Sequence, residues 1–104
     1  MGRLFSFTYP TAAVLLAIRG GHRYGFDLMD ATGLPDGTVY PILRRLERRG
    51  VLAGAWEDEQ TARAEQRPPR RYYRITPAGE ASMAEVLSRF PALVRAFPAA
   101  PGTA

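Results

Sequence analysis

The segment from about Asp36 to Arg49 constrains the fold of this 104-residue chain more than any other. On a helical wheel its apolar residues fall within about 60° of one direction, which is typical of a helix with one buried face. Those residues are Val39, Ile42, Leu43 and Leu46, with Gly50 just beyond the helix. The opposite face carries Pro41, Arg44 and Arg48, with Arg45 at its edge. One side is therefore predicted to pack on a core while a cationic side faces outward.

The residues before this segment predict two shorter helices. Tyr9 to Ile18 is almost wholly apolar and ends at Gly20-Gly21, and Tyr24 to Thr32 is followed by the turn Gly33-Leu34-Pro35. Two helices joined by a tight turn, the second with a cationic outer face, are typical of a helix-turn-helix. In such a motif arginine pairs with guanine in the major groove. The alternative is a merely solvated face, in which Glu47 offsets part of the charge.

The second half of the chain predicts a hairpin followed by a helix. Val51 to Glu57 and Arg70 to Thr76 have the composition of strands, and the polar segment Asp58 to Pro69 between them is predicted to be a loop. Thr76 and Pro77 fit the N-cap and first position of a last helix. We expect Trp56 to lie in the core or to pack the hairpin against the helices.

The predicted hairpin loop carries a second basic cluster, made of Arg63, Arg67, Arg70 and Arg71. The chain has a formal charge of +4, and two basic elements beside one helix suit the backbone of a DNA duplex. We therefore predict double-stranded DNA as a partner. The three carboxylates of Glu57-Asp58-Glu59 at the base of the loop are expected to repel phosphate and to limit its approach.

Composition excludes several kinds of chemistry. The chain has no Cys and no Lys, which excludes disulfides, thiolate metal sites, a Walker A loop and Schiff-base catalysis. His22 is the single histidine, and no serine is placed beside it as a nucleophile. We expect no enzyme activity, no cofactor and no metal.

No segment resembles a membrane span or a secretion signal. The longest apolar run, Ala12 to Ile18, is far shorter than the roughly 20 residues that a spanning helix needs. The apolar residues after Arg3 lack a cleavage site of small residues. We therefore expect a cytoplasmic protein.

Two segments of the chain resemble a known family. The stretch from Arg23 to Leu52, RYGFDLMDATGLPDGTVYPILRRLERRGVL, resembles the PadR-like transcriptional regulators, and Gln66 to Ala81, QRPPRRYYRITPAGEA, is similar to their wing strand and the start of their C-terminal helix. The resemblance covers about Thr11 to Phe97. It implies a winged helix-turn-helix, a homodimer, and repression of nearby genes from a pseudo-palindromic operator. The alternative function is a winged-helix protein-interaction module without specific DNA binding.

The resemblance also implies site residues and a ligand class. It places Thr38, Tyr40 and Pro41 beside Arg44 on the DNA face, and Tyr24 near the phosphate backbone. With the arginines above, the predicted DNA-binding set is Tyr24, Thr38, Tyr40, Pro41, Arg44, Arg45, Arg48, Arg67, Arg70 and Arg71. A small aromatic or hydrophobic effector is a further implied partner. Pro35 departs from the family, because a Ser-type cap is common at that place.

The start of the arginine-bearing helix has two possible readings. If Thr38 is the N-cap, the N–H that Pro41 lacks had no partner within the helix. If the helix begins nearer Asp36, Pro41 lies inside it and a kink follows. The sequence leaves both open.

The C-terminal segment predicts a dimer seam. Met83, Leu87, Phe90, Val94 and Phe97 follow one another at spacings of four and three residues, with Val86 and Leu93 beside them. We predict a dimer interface formed by these residues, with a kinked helix or two abutting segments at Pro91. The alternative is that the stripe packs back on the protomer's own first helix.

Together these features predict one mainly α (α+β) domain. It consists of a winged helix-turn-helix region over residues 9–76, with three helices and a two-stranded wing. A C-terminal dimerisation helix follows over residues 77–97, and a frayed tail over residues 98–104.

Overall fold

The computed structural model describes residues 7–101, which form six helices and one two-stranded sheet. In chain order the elements are α1 (Tyr9–Arg19), α2 (Gly25–Thr32), α3 (Asp36–Arg48), β1 (Leu52–Trp56), α4 (Glu59–Ala64), β2 (Arg71–Ile75), α5 (Pro77–Arg89) and α6 (Pro91–Ala96). A helix-turn-helix followed by an antiparallel hairpin and a C-terminal helix confirms the predicted winged helix-turn-helix.

α1 forms the centre of the core. Every residue from Thr11 to Ile18 is buried, and α2, α3, β2 and α6 all contact this helix. Its first turn is capped by Thr8, whose hydroxyl accepts a hydrogen bond from the Thr11 N–H at 3.3 Å. Leu15 and Leu16 are fully buried, and each contributes about 1.5–3 kcal/mol by leaving water. The uninterrupted apolar sequence of α1 thus reflects burial on all sides.

The start of α3 decides between the two readings of Pro41. Pro35 is the N-cap, and the N–H groups of Thr38 and Val39 both donate to its carbonyl at 3.0 Å. The helix therefore begins at Asp36, and Pro41 lies inside it. Because Pro41 has no N–H, the carbonyl of Gly37 lacks its usual donor four residues on.

The predicted buried stripe of α3 is confirmed, since Val39, Ile42, Leu43 and Leu46 are all buried. The two glycines predicted to end helices have the left-handed backbone that this position favours. Gly33 has a φ of 74° and Gly50 a φ of 76°.

The wing differs from the prediction in one element. Its strands pair with Leu52 opposite Ile75 and Trp56 opposite Arg71. The connection between them, predicted as a loop, contains the short helix α4. Asp58 caps that helix by accepting a hydrogen bond from the Thr61 N–H at 3.3 Å.

The C-terminal region divides into two segments, as expected. Thr76 caps α5 as predicted, because the Gly79 N–H donates to its hydroxyl at 2.9 Å. The helix then ends at Phe90, whose φ of −128° and ψ of 60° are not helical, and α6 packs against α1.

This fold-back changes the setting of the predicted dimer residues. Met83, Val86 and Leu93 are buried within the protomer's own core, which is the alternative arrangement for the stripe. Phe90, Val94 and Phe97 pack against that core and are half-buried, while Leu87 is exposed. Most of the seam is therefore covered by the chain itself, because α6 turns back at Pro91 instead of continuing α5.

The predicted frayed tail is partly ordered against the body. The Ala100 N–H donates to the Arg19 carbonyl at 3.2 Å, which holds this stretch against the end of α1. The last three residues of that predicted tail, 102–104, lie outside the described residues, as does Arg3.

Candidate nucleic-acid interface

The outer face of α3 presents two exposed arginines. Arg44 and Arg48 lie one helical turn apart on the side opposite the buried stripe. Within residues 7–101, neither side chain makes a hydrogen bond or an ion pair. Arg45 differs, because its guanidinium turns toward α1 and donates to the Thr11 hydroxyl at 3.1 Å. The arginines of α3 thus differ, because Arg44 and Arg48 are exposed whereas Arg45 makes a hydrogen bond to α1.

Arg71 connects the wing to α3. Its guanidinium donates to a carboxylate oxygen of Glu47 at 2.5 Å and lies 5.4 Å from the ring centroid of Trp56. It crosses directly over Gly54, where an added Cβ would lie 2.8 Å from the Arg71 Nε. The hydrogen bond that Arg71 donates to Glu47 raises the pKa of Arg71. This side chain therefore joins α3 to the wing.

The phenol of Tyr73 lies beside this link. Burial raises the pKa of Tyr73, and the negative charge of Glu47 raises it further. Tyr73 therefore stays uncharged near the Arg71–Glu47 pair. Its backbone N–H donates to the Arg23 carbonyl at 2.8 Å, which ties β2 to the linker between α1 and α2.

Arg67 forms a two-pronged ion pair with Glu57. Its Nη1 and Nη2 donate to the two carboxylate oxygens at 2.6 and 2.8 Å, and the Arg70 N–H adds a third bond to Glu57 at 3.1 Å. The hydrogen bond from Arg67 lowers the pKa of Glu57 to about 2, although desolvation opposes that change. The Arg67 Nε is buried and has no partner within the described residues.

Two of the three carboxylates at the base of the wing make hydrogen bonds within it. Glu57 is neutralised by Arg67, and Asp58 is used as the cap of α4. Asp58 and Glu59 are both exposed, and Glu59 lies 3.8 Å from Arg63 one turn along the same helix. The acidic run thus mainly supports the wing's own structure.

Arg70 lies on an aromatic platform. Its guanidinium carbon is 4.0 Å from the ring centroid of Tyr24, and its Nη1 lies 3.4 Å from the Tyr72 hydroxyl. The rings of Tyr24 and Tyr72 meet edge to face at 5.5 Å. Within the described part of the chain, no carboxylate pairs with Arg70. Arg70 thus contacts Tyr24 at the start of α2 and Tyr72 in the wing.

Tyr40 packs inward against the start of α2. It is half-buried, and its hydroxyl occupies the space in which a side chain on Gly25 would stand. The Tyr-Gly pair at positions 24 and 25 is therefore explained by this contact, since only glycine leaves room for the ring. Thr38 and Pro41, also in the predicted DNA-binding set, are half-buried near the start of the same helix.

Two aromatic residues of this region are exposed. Trp56, expected in the core or against the helices, keeps 67% of its surface exposed, so that expectation is wrong. Phe26 at the start of α2 is 75% exposed. Neither was among the predicted site residues, because apolar residue type alone predicts burial.

Comparisons with known proteins agree with this architecture. The model of the transcriptional regulator PadR-like family matches residues 14–85. A PadR family transcriptional regulator from Eggerthella lenta is 28% identical, with a TM-score of 0.60 over 81% of this chain and 74% of that chain. A PadR family regulator from Clostridium difficile R20291 is 18% identical, with a TM-score of 0.68 over 85% of this chain and 93% of that chain.

A third similar structure is that of Bordetella bronchiseptica BpsR, whose DNA binding is regulated by 6-hydroxynicotinic acid. It is 24% identical, with a TM-score of 0.67 over 88% of this chain and 61% of that chain. No curated protein matches the chain. Among residues 7–101, no helix is long and apolar enough to cross a membrane.

The family assignment rests on the match of its model to most of the chain. Members of the family are transcription regulators, which confirms the prediction that this protein is not an enzyme. The matched residues include the helix-turn-helix, the wing and most of α5. The chain belongs to the PadR-like family of DNA-binding transcriptional regulators.

Proposed function

We propose that this protein is a repressor that binds a pseudo-palindromic operator as a homodimer, with α3 in the major groove. The observation that carries the proposal is the exposed pair Arg44 and Arg48, which make no ion pair within the described residues. An arginine held by a carboxylate must break that pair before it reaches DNA, whereas these two need no such rearrangement. Sequence reading by arginine in the major groove fits this arrangement.

The predicted DNA-binding residues take different roles in this proposal. Arg44 reads a guanine edge, and Arg48, one turn further along α3, contacts a phosphate. Arg70 on its tyrosine platform contacts a second phosphate from the side of the wing. Arg67 and Arg71 act as positioning residues, because each is held by a carboxylate that fixes the wing.

We place the homodimer contact at the junction of α1 and α5. Tyr9 is 60% exposed and Leu87 is 37% exposed. Phe90 links them, since its ring lies 6.1 Å from that of Tyr9 and it follows Leu87 by three residues. The buried Met83, Val86 and Leu93 support this patch from beneath, and a two-fold contact there sets the distance between the two copies of α3.

By likeness to BpsR, we propose that a small aromatic molecule regulates DNA binding in this protein too. The support is a shared fold together with the aromatic side chains beside α3 and the wing.

Binding to labelled DNA tests the proposed function. The wild-type protein is expected to bind DNA from upstream of its own gene more tightly than a shuffled sequence of equal composition at moderate salt. The Arg44→Ala/Arg48→Ala variant should lose that preference, while Arg95→Ala, which removes an exposed arginine of α6, should keep it. Equal binding to both DNAs by the wild type would instead favour a protein-interaction module.

A further inference from the structure

A small pocket of about 210 Å³ lies where the end of α1, the linker to α2, β2 and the first turn of α5 meet. Three arginines line it, Arg19, Arg23 and Arg74, and Ile18 and Ile75 supply its apolar lining. No residue of α3 and none of the segment between β1 and β2 lines this pocket. It is therefore separate from the candidate nucleic-acid interface.

Contacts between elements hold the backbone of the three arginines in place. The Arg23 carbonyl accepts a hydrogen bond from the Tyr73 N–H at 2.8 Å, which sets the linker beside β2, one residue before Arg74. The Arg19 carbonyl at the end of α1 accepts one from the Ala100 N–H at 3.2 Å. The cluster thus follows from how α1, the linker and β2 pack, although its members are far apart in sequence.

The charges around this pocket do not cancel. Within residues 7–101, none of the three arginine side chains makes a hydrogen bond or an ion pair, and the Arg19 Nε is shielded from water without an acceptor. Glu80 on the first turn of α5 also lines the pocket, but it is exposed and forms no ion pair with the arginines. Three positive charges and one negative charge leave a positive surplus, together with a buried donor that lacks a partner.

We propose that this pocket binds a small phosphate monoester that carries a hydroxyl group, such as a phosphorylated polyol. The phosphate oxygens accept charge-assisted hydrogen bonds from Arg19, Arg23 and Arg74. The hydroxyl group donates a hydrogen bond to the Glu80 carboxylate, which repels a phosphate that has no such donor beside it. The pocket therefore selects for both groups on one molecule.

Charge and size favour a monoester over the phosphodiester of DNA. A phosphate monoester carries a charge of about −1.5 to −2 at pH 7, which matches the surplus of two positive charges. A phosphodiester carries a single negative charge, and both of its ester oxygens lead to further groups that need room. The pocket is smaller than the roughly 300 Å³ at the lower end of sites for drug-sized ligands, so it suits a molecule of a few atoms.

Calorimetry on the protein without DNA tests the site, with glycerol 3-phosphate as the probe. We expect a one-site isotherm and a shift of the Arg19 Nε–H resonance. Methyl phosphate, which lacks a hydroxyl group, should bind at least about threefold more weakly, and dimethyl phosphate and glycerol at least about tenfold more weakly. Equal affinity for glycerol 3-phosphate and dimethyl phosphate, or no binding at millimolar probe, would overturn the proposal.

Two variants and one control locate the two groups of the ligand. Arg74→Gln changes an exposed side chain and should weaken the binding of glycerol 3-phosphate by about tenfold or more. Glu80→Ala should strengthen the binding of methyl phosphate and abolish the preference for glycerol 3-phosphate. Arg95→Gln removes an exposed arginine of α6 and should bind as the wild type does. Undiminished binding by Arg74→Gln, or an unchanged preference in Glu80→Ala, would overturn the assignment.

Duplex DNA is the other polyanion that an arginine cluster can contact, so the variants are also titrated with upstream DNA. Arg74→Gln should keep the affinity of the wild type for that DNA within about twofold, because no phosphate contact is assigned to it. A loss as large as that of Arg48→Gln, without binding of glycerol 3-phosphate to the wild type, would overturn the pocket and assign the cluster to DNA. The calorimetry needs no DNA, so its result stands whether or not the proposed function holds.

Discussion

The outer face of α3 and the wing are both rich in arginine, but the two regions use it differently. On α3, Arg44 and Arg48 are exposed and make no ion pair within the described residues. In the wing, Arg67 and Arg71 are each held by a carboxylate in a short ion pair. Neither the net charge nor the number of arginines distinguishes these four residues. The two regions show that an arginine paired with a nearby carboxylate stabilises the fold, whereas an exposed arginine without such a partner is available to bind a ligand.

The largest expected difference between the regions is in DNA affinity. Arg44→Ala should cost about 1–3 kcal/mol of operator binding, since it removes a guanine contact. Adding Arg48→Ala should weaken binding to all sequences, and the free energy of unfolding should stay within about 0.5 kcal/mol of the wild type because both side chains are exposed. Titrations of fluorescent DNA and urea unfolding provide the two measurements.

The matched control removes an ion pair from the wing without changing the net charge. Glu57→Gln/Arg67→Gln should keep most of the operator affinity, because neither partner is assigned a direct contact with DNA. Equal losses of affinity in the α3 and wing variants would contradict the difference between the two regions.

The second prediction concerns the joint between α2 and α3. Gly25→Ala should lower the free energy of unfolding by about 1–3 kcal/mol, because the added methyl group overlaps the Tyr40 hydroxyl. Gly37→Ala on α3 is the control, since nothing lies within 4 Å of its added Cβ, and it should gain up to about 1 kcal/mol from helix propensity. Thermal unfolding compares the two variants. A Gly25→Ala protein as stable as Gly37→Ala would show that Tyr40 is not held in this contact.

The third prediction concerns the pH dependence of folding stability, to which the ion pair of the wing should contribute and the exposed arginines of α3 should not. The pKa of Glu57 is lowered from 4.5 to about 2, so its ion pair stabilises the folded state fully above about pH 4.5. That stabilisation should be lost as the pH falls toward 2. Urea midpoints measured from pH 5 to pH 2 should show a smaller loss for Glu57→Gln than for the wild type.

Two controls accompany the pH series. Glu59→Gln alters an exposed carboxylate and should follow the wild-type profile, and so should Arg44→Ala, which lacks an acidic partner within the described residues. If Glu57→Gln followed the wild-type profile, the loss of the Glu57–Arg67 ion pair would not explain why the protein becomes less stable in acid.

Much of the fold was predictable because local rules decide it. The periodicity of α3, the glycines at positions 33 and 50, and the Thr76 cap each specify a boundary through neighbouring residues. The helix α4 was missed because the segment looked polar and loop-like, although Asp58 three residues before Thr61 is a capping signal. The fold-back of α6 stayed open, because an apolar stripe shows that a face is covered but not by which chain.

The sequence located the arginines of the candidate site but did not show which of them form ion pairs. The sequence identified the arginines of α3 and the wing, yet the pair between Glu47 and Arg71 joins residues on different elements. Such a contact follows from the three-dimensional approach of β2 to α3, and no periodic pattern records it. For the same reason the sequence did not show that Trp56 and Phe26 face solvent.

The salt dependence of operator binding tests the central claim most directly. With Arg48 and Arg70 contacting phosphate in each subunit of a dimer, the slope of log K against log salt should be roughly −4. Arg48→Gln should reduce its magnitude by about 2, because one contact is lost in each subunit. Glu57→Gln/Arg67→Gln should leave the slope unchanged. A wild-type slope near zero, or a wing variant that changes it as much as Arg48→Gln does, would contradict the account.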